Sequence, residues 1–403
     1  MSGIFRNLNN VAPMKKDTQL VLSGRKNFGD PGIVNTPIYR ASTVLFENLG
    51  QMQDVQAAWL RDEPVPTYGI TNMPNGLALE TAVAELEGGH RALSFPSGHA
   101  AVAAALLACT KAGDHILVPD SCYGPSRRTC THFLARFGVE TEFYDPLAGA
   151  DIVELMRDHT TVVYTESPGS HTFEVQDIPA IARVAHAGGA KVIMDNAWAT
   201  GMYFRAFEHG VDLVVQPATK YLAGHSDVLI GLVVASEATW PLLRDCSRDL
   251  GQHVSPDDSF LTLRGLRTMG VRLPRHQENA LALTQWLQQR REVKRVLYPA
   301  LPSDPGYALW KRDFLGASGL FAIELDSCSM QAIAAMLDHY EFFGLGYSWG
   351  GFESLVAPAN IAHARSINPW KGGPLIRYHA GIEDADDLIR DLEAGFARLG
   401  ASR

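Results

Sequence analysis

Cysteine is scarce and unpatterned in this chain of 403 residues. The five cysteines, Cys109, Cys122, Cys130, Cys246 and Cys328, form no CxxC pair. An odd count at wide spacing argues against a disulfide framework and suggests reduced thiols. Long apolar runs are missing too: AAVAAALLACTKAGD is broken by Lys111 and Asp114, so no membrane span is expected. The N-terminal stretch has no apolar core of the kind a secretory signal needs. Basic runs are absent and the net charge is −9, which argues against a nucleic-acid surface. The 14 histidines show no HExxH or Cys/His cluster, so no metal site is expected. A cytoplasmic protein is the expectation.

What is present is ordinary for a soluble globular enzyme, with 46% apolar and 20% charged residues. The length allows two or three domains and a large core. Residues 1–60 are polar and punctuated by Gly and Pro, and read as an extended arm with one short helix near 48–61. Such an arm gains more by lying on another subunit than by staying in water. From about 77 to 255, strand candidates at 92–95, 115–118, 140–144, 161–165, 191–194, 213–215 and 231–234 alternate with helical segments at 77–87, 100–109, 126–137 and 178–186. This alternation implies a mainly parallel sheet covered by helices. A helical segment at 241–252 leads away from it. A smaller α+β region follows from 256 to 403, with helices at 261–273 and 276–289, strands at 293–298, 319–324 and 375–379, and a final amphipathic helix at 385–399.

The most informative stretch is VVQPATKYLAGHSDVLIG, residues 214–231. An apolar strand breaks into a turn that ends on Thr219 and Lys220. Burying an ammonium group is costly, and the cost is avoided when the amine becomes an imine. Lys220 is therefore a candidate for a Schiff-base lysine holding pyridoxal phosphate. A solvated lysine fits the same local pattern.

Other residues point the same way. Asp195 ends a parallel strand, where side chains face the ligand crevice of such sheets. There it can hold a pyridine nitrogen protonated, although a turn-capping role suits it equally. Ser97, Gly98 and His99 occupy a strand-to-helix turn whose free N–H groups suit a phosphate, and Thr219 can add a hydroxyl. Tyr123 can stack on a flat heterocycle or pack as an ordinary turn tyrosine. Arg377 ends a strand candidate and suits bidentate capture of a carboxylate. The competing fate is a surface ion pair with Glu383 or Asp384.

The ordered series Tyr68-Gly69, LEGG (86–89), FPSG (95–98), Tyr123-Gly124-Pro125, ESPGS (166–170), DNAW (195–198), ATKYLAGHSD (218–227), YSWGGFESL (347–355) and IRYHAGIED (376–384) resembles the pyridoxal-phosphate enzymes of cysteine and methionine metabolism. It is most similar to their bacterial cystathionine β-lyase branch, from about residue 15 to the end. The resemblance implies fold type I, aminotransferase-like, with an arm over 1–60, a cofactor domain over 61–255 and a C-terminal domain over 256–403. It implies a homotetramer built from dimers with shared active sites. Lys220 would carry the cofactor, Asp195 pair with its ring nitrogen and Tyr123 stack on the ring. Ser97, Gly98, His99 and Thr219 would sit at the phosphate, which Tyr68 would reach from the neighbouring subunit. Tyr68 is counted with Lys220 and Tyr123 among the catalytic residues. Ser348 and Arg377 would receive the substrate carboxylate. Tyr347 and Trp349 occupy positions typical of β-lyases.

One departure stands out. The family arginine two residues after the tyrosine matching Tyr68 is here Ile70, which removes a charge and a bidentate donor. His99 can compensate at the phosphate or line the entrance, or simply point to solvent. The expected reaction is β-elimination from cystathionine or a related S-substituted L-cysteine, giving a thiol, pyruvate and ammonia. Lys220 would remove the α-proton, its pKa drawn down by desolvation. The missing cation favours smaller or more apolar S-substituents. γ-Elimination, γ-replacement and racemisation share the same carbanion chemistry. A non-catalytic regulatory protein on this scaffold is a further reading.

Overall fold

The structure is a computed structural model that describes residues 14–25, 33–359, 361 and 364–401. Seven strands form the large sheet, most of them apolar and β-branched: β1 Arg91–Phe95, β2 His115–Pro119, β3 Glu140–Tyr144, β4 Thr160–Glu166, β5 Lys191–Asp195, β6 Leu213–Gln216 and β7 Gly231–Ala235. They form one sheet in the order β1-β7-β6-β5-β4-β2-β3. Strands β3, β2, β4, β5 and β6 are parallel to one another, whereas β7 runs antiparallel to both β6 and β1. The parallel strands therefore end along one edge, where ligands of such sheets bind.

Strand alternation divides the core between the two faces of the sheet. Val192, Met194, Val214, Leu232 and Val234 join one apolar cluster, together with the helices Pro74–Glu87 and Ile178–Ala187. Ile193, Leu213, Val215, Val233 and Ala235 join the other, beneath the alanine-rich helix Gly98–Cys109. The first cluster continues into a second sheet. That sheet comprises β8 Val293–Leu297, β9 Leu320–Leu325, β10 Gly344–Leu345, β11 Leu355–Ala359 and β12 Leu375–His379, in the order β10-β11-β12-β9-β8. The fold is thus a large, mainly parallel sheet with covering helices plus a smaller C-terminal sheet, as expected for fold type I.

Several local expectations need correction. The helix expected over 126–137 is broken into an α turn Gly124–Arg128, a π-type turn Thr129–Phe133 and a 3₁₀ turn Leu134–Phe137. β-Branched and aromatic residues crowd this stretch and lower its helix propensity. The two helices after 256 run Pro256–Leu266 and Met269–Leu287, so Pro274 lies inside the second and the break falls before it. Arg272 explains the position of the break. Its buried guanidinium donates to the Gly265 and Tyr221 carbonyls, 2.8 and 2.9 Å away, and caps the end of the first helix. Helices Tyr307–Asp313 and Met330–Leu337 and strand β11 are additional to those expected. The arm holds a helix Lys16–Leu22 besides Leu49–Leu60. Leu20 is buried, and Lys16 Nζ donates to the Met202 carbonyl at 3.2 Å, so this part packs on its own chain. The rest of the arm within 1–13 and 26–32 lies outside the described residues. No helix among the described residues is long and apolar enough to cross a membrane.

Candidate active site

A cleft of ≈ 620 Å³ opens at the carboxyl edge of the large sheet, between it and the second sheet. Its lining includes Ser97, Gly98, His99, Tyr123, Asp195, Thr219 and Lys220 from the first, and Tyr347, Ser348, Trp349 and Arg377 from the second. Eleven of the twelve residues singled out from the sequence therefore converge on one cavity. Tyr68 is the exception. It is 55% exposed and bridges to Thr71 away from this cleft, while Ile70 lines a separate cavity with Arg40 and Asp257.

Lys220 follows β6 through the turn at Pro217, and its Nζ donates to Ser348 Oγ at 2.6 Å. The Nζ lies 5.1 Å from the centre of the Trp349 ring. Burial, and then the nearby Arg377 guanidinium, lower its pKa to about 8. The amine is thus far closer to neutral than an exposed lysine. The segment bearing Tyr347 to Gly350 lies directly on Lys220. Gly350 has a φ of 87°, and a Cβ there would sit 2.9 Å from the Lys220 carbonyl carbon, so only glycine permits the approach. Ser348 beside it also holds a left-handed backbone, with φ 73°. Such strain is retained where surrounding structure fixes it, often at functional sites.

Asp195 is buried at the end of β5 and accepts from the Ala197 backbone N–H at 3.0 Å. Burial raises its pKa to about 6. In the β4–β5 register its partner is Glu166, whose carboxyl is pushed up by burial and by the Asp195 charge. Glu166 Oε2 accepts from the Tyr123 backbone N–H at 2.7 Å and so anchors the turn that presents the Tyr123 ring. Burial and the Asp195 carboxylate raise the phenol pKa of Tyr123. Glu166 was not assigned a role from sequence, although it ends a parallel strand just as Asp195 does.

At the helix start, the Ser97 side chain accepts from the Ala100 N–H at 3.1 Å, which fixes the first turn of Gly98–Cys109. A Cβ on Gly98 would meet the Pro217 Cβ at 2.6 Å. The absence of a side chain there brings the helix start against the turn that delivers Thr219 and Lys220. Thr219 Oγ1 donates to the Ile230 carbonyl at 3.0 Å and accepts from the Ile230 N–H at 2.9 Å. His99 Nε2 lies 3.2 Å from Thr129 Oγ1. Arg377 lies in the middle of β12, paired with Ala357 and Ala322, not at a strand end as expected; its Nη2 donates to the Ser348 carbonyl at 3.0 Å. Glu383 is engaged by Ser354, and no ion pair forms between it and Arg377 among the described residues.

These groups fit pyridoxal phosphate. The cleft pairs an amine of lowered pKa with a buried carboxylate, and a glycine cradle at a helix N-terminus suits the phosphate. A profile of the Cys/Met metabolism PLP-dependent enzymes matches residues 17–397. The chain belongs to this family. Family members resemble it closely: cystathionine β-lyase MetC of Escherichia coli (strain K12) is 43% identical over 396 residues, covering 96% of this chain and 100% of the relative. The L-alanine/L-glutamate racemase of Wolbachia pipientis wMel is 39% identical over 397 residues, covering 96% and 98%. Among solved structures, cystathionine γ-lyase from Lactobacillus plantarum with L-serine superposes with a TM-score of 0.87 at 30% identity, covering 96% of this chain and 100% of that one. The chain is a pyridoxal-phosphate-dependent enzyme of fold type I.

Proposed function

We propose that this enzyme is a carbon–sulfur β-lyase that converts an S-substituted L-cysteine, cystathionine among them, and water to a thiol, pyruvate and ammonia. The observation that carries the reading is the placement of Lys220 between Ser348, Trp349 and the Arg377 guanidinium in one cleft with Asp195. Full-length similarity to cystathionine β-lyases supports it.

Lys220 would hold the cofactor, Asp195 its ring nitrogen, Tyr123 its ring face, and Ser97, Gly98, His99 and Thr219 its phosphate. When bound, pyridoxal phosphate supplies an electron-withdrawing ring that accepts charge from the substrate α-carbon. Arg377 spends one N–H on Ser348 and keeps its other donors for the substrate carboxylate. Fixing that end aligns the C–H and C–S bonds for cleavage. Lys220 Nζ, with a pKa drawn down to about 8, takes the α-proton. The leaving sulfur then receives a proton from Lys220 Nζ or the Tyr123 hydroxyl. The Trp349 ring, 5.1 Å from the Lys220 amine, would flank it during the transfer.

A homotetramer of dimers with shared sites suits the exposed Tyr68 and Ile70, which would reach the neighbour's cleft. Ile70 there would favour compact or apolar S-substituents. A cytoplasmic location accords with the reduced thiols. Racemisation is the second reading, supported by the racemase relative. Steady-state assays on cystathionine, S-methyl-L-cysteine and L-alanine, with Ile70→Arg alongside, test the substrate reading. Pyruvate is expected from the cysteine derivatives, with a gain for cystathionine in Ile70→Arg. D-alanine formation without pyruvate would overturn the lyase in favour of the racemase.

A further inference from the structure

His171 lines the cleft together with Arg377 and Ser348, yet neither of its ring nitrogens has a hydrogen-bond partner among the described residues. Its Nδ1 is buried without a partner. A buried polar atom left unpaired is costly and is normally satisfied. The ring is also held in place firmly. The Ser170 N–H donates to the Ser121 carbonyl at 2.8 Å, and Gly169 exchanges backbone hydrogen bonds with Glu174 and Phe173 at 2.9 and 3.1 Å. Arg365 Nη1 clamps the loop from the far side through Glu174 Oε1 at 2.8 Å. His171 itself adopts a left-handed backbone, with φ 67°, which a residue bearing a Cβ rarely adopts. A loop braced this heavily presents a fixed, unsatisfied imidazole to the cavity, as a pre-organised binding group does.

We propose that His171 is a substrate-binding residue that donates a ring N–H to the same carboxylate that Arg377 captures, a role that rests on the reading of Arg377 above. Arg377 and Arg365 both lie close enough to act electrostatically on the ring. With burial, they hold it neutral, at a pKa of about 4. A neutral imidazole has one N–H to give and one nitrogen to accept with. The arriving anion meets a cation and a neutral donor together. The ligand class is a small α-amino acid, and the contact is independent of its side chain.

The test uses the holoenzyme and its His171→Phe and His171→Asn variants, with L-alanine as the binding probe followed by the visible cofactor band. Phe keeps a ring without a donor, and Asn keeps a donor on a shorter side chain. The Phe variant is expected to bind L-alanine about tenfold or more weakly, as loss of a hydrogen bond to a charged group implies. The KM for S-methyl-L-cysteine should rise in parallel, with the loss falling on KM rather than kcat, and Asn should recover much of it. L-Alanine affinity equal to wild type in the Phe variant overturns the proposal. A loss confined to substrates with long side chains overturns it too. Should the Phe variant not fold, ¹⁵N-histidine-labelled wild-type holoenzyme decides: the His171 ring resonance must move on saturation with L-alanine, and a stationary signal refutes the contact. Arg377→Lys separates the two readings. L-Alanine affinity unaffected by that variant removes the carboxylate site itself, whereas a loss there with none at His171 removes only the present proposal.

Discussion

Arg377 is half-buried in the cleft with donors to spare. One of its N–H groups fixes the Ser348 carbonyl, and burial depresses its pKa, but no carboxylate of the chain pairs with it among the described residues. The fork therefore retains donors that the proposed carboxylate contact would use. Arg377→Lys keeps the charge and loses the bidentate geometry. Its KM for S-methyl-L-cysteine is expected to rise roughly 10–100-fold, the value of a charge-assisted hydrogen bond, which steady-state kinetics measure directly. At this scale the sequence was informative where chemistry needs a rare residue type in or just after a strand: Asp195 ends β5, Lys220 follows β6, and Arg377 lies within β12. Glu166 carried the same strand-end mark as Asp195 without being picked out, whereas a histidine without a partner leaves no mark in local sequence.

Among the elements, the helix Pro74–Glu87 does more than cover the sheet. Its last residue, Glu87, accepts from the Gly201 N–H and the Gln216 side chain at 2.7 Å each, and from the Asn196 side chain at 3.1 Å. It thereby ties together the ends of β5 and β6, from which Asp195 and Lys220 are delivered. Burial raises the Glu87 pKa from 4.5 to about 7. The folded protein thus holds this proton more tightly than the unfolded chain. The stability it contributes is full below pH 4.5 and is lost as pH rises through 7, by roughly 3 kcal/mol in all. Glu87→Gln removes that titration. Urea unfolding at pH 5 and pH 8 is expected to show the variant gaining on wild type at the higher pH, and a difference independent of pH would contradict it. Elements with a strong period were legible: all seven strands of the large sheet begin within one residue of their expected start, and five begin on it. The broken stretch from Gly124 to Phe137 and the continuous helix through Pro274 were not legible. The second is decided by a tertiary contact, the buried Arg272 cap, that overrides local propensity, and the first by β-branched and aromatic residues whose low helix propensity a periodic reading passes over.

For the whole molecule, the separation between Tyr68 and the cleft matters most. A single chain leaves Tyr68 exposed, so a tyrosine at the phosphate would have to come from a second copy. If sites are shared, the defects of Lys220→Ala and Tyr68→Ala fall on different subunits of one site. Mixed subunits of the two variants, refolded together, should then regain activity that neither has alone. Absence of recovery in mixtures shown to co-assemble would contradict shared sites. No sequence pattern would encode such an arrangement directly, because a surface that pairs copies has no period of its own.

The most direct measurement is pyruvate release from S-methyl-L-cysteine by the wild-type holoenzyme and by Lys220→Ala. The expected result is pyruvate and thiol in equal amounts from the wild type, and a rate lower by about 10²–10⁴ in the variant, the contribution of a positioned proton-transfer group. Wild-type holoenzyme that releases no pyruvate, or a Lys220→Ala variant that retains the wild-type rate, would contradict the assignment of Lys220 as the catalytic amine of a β-lyase.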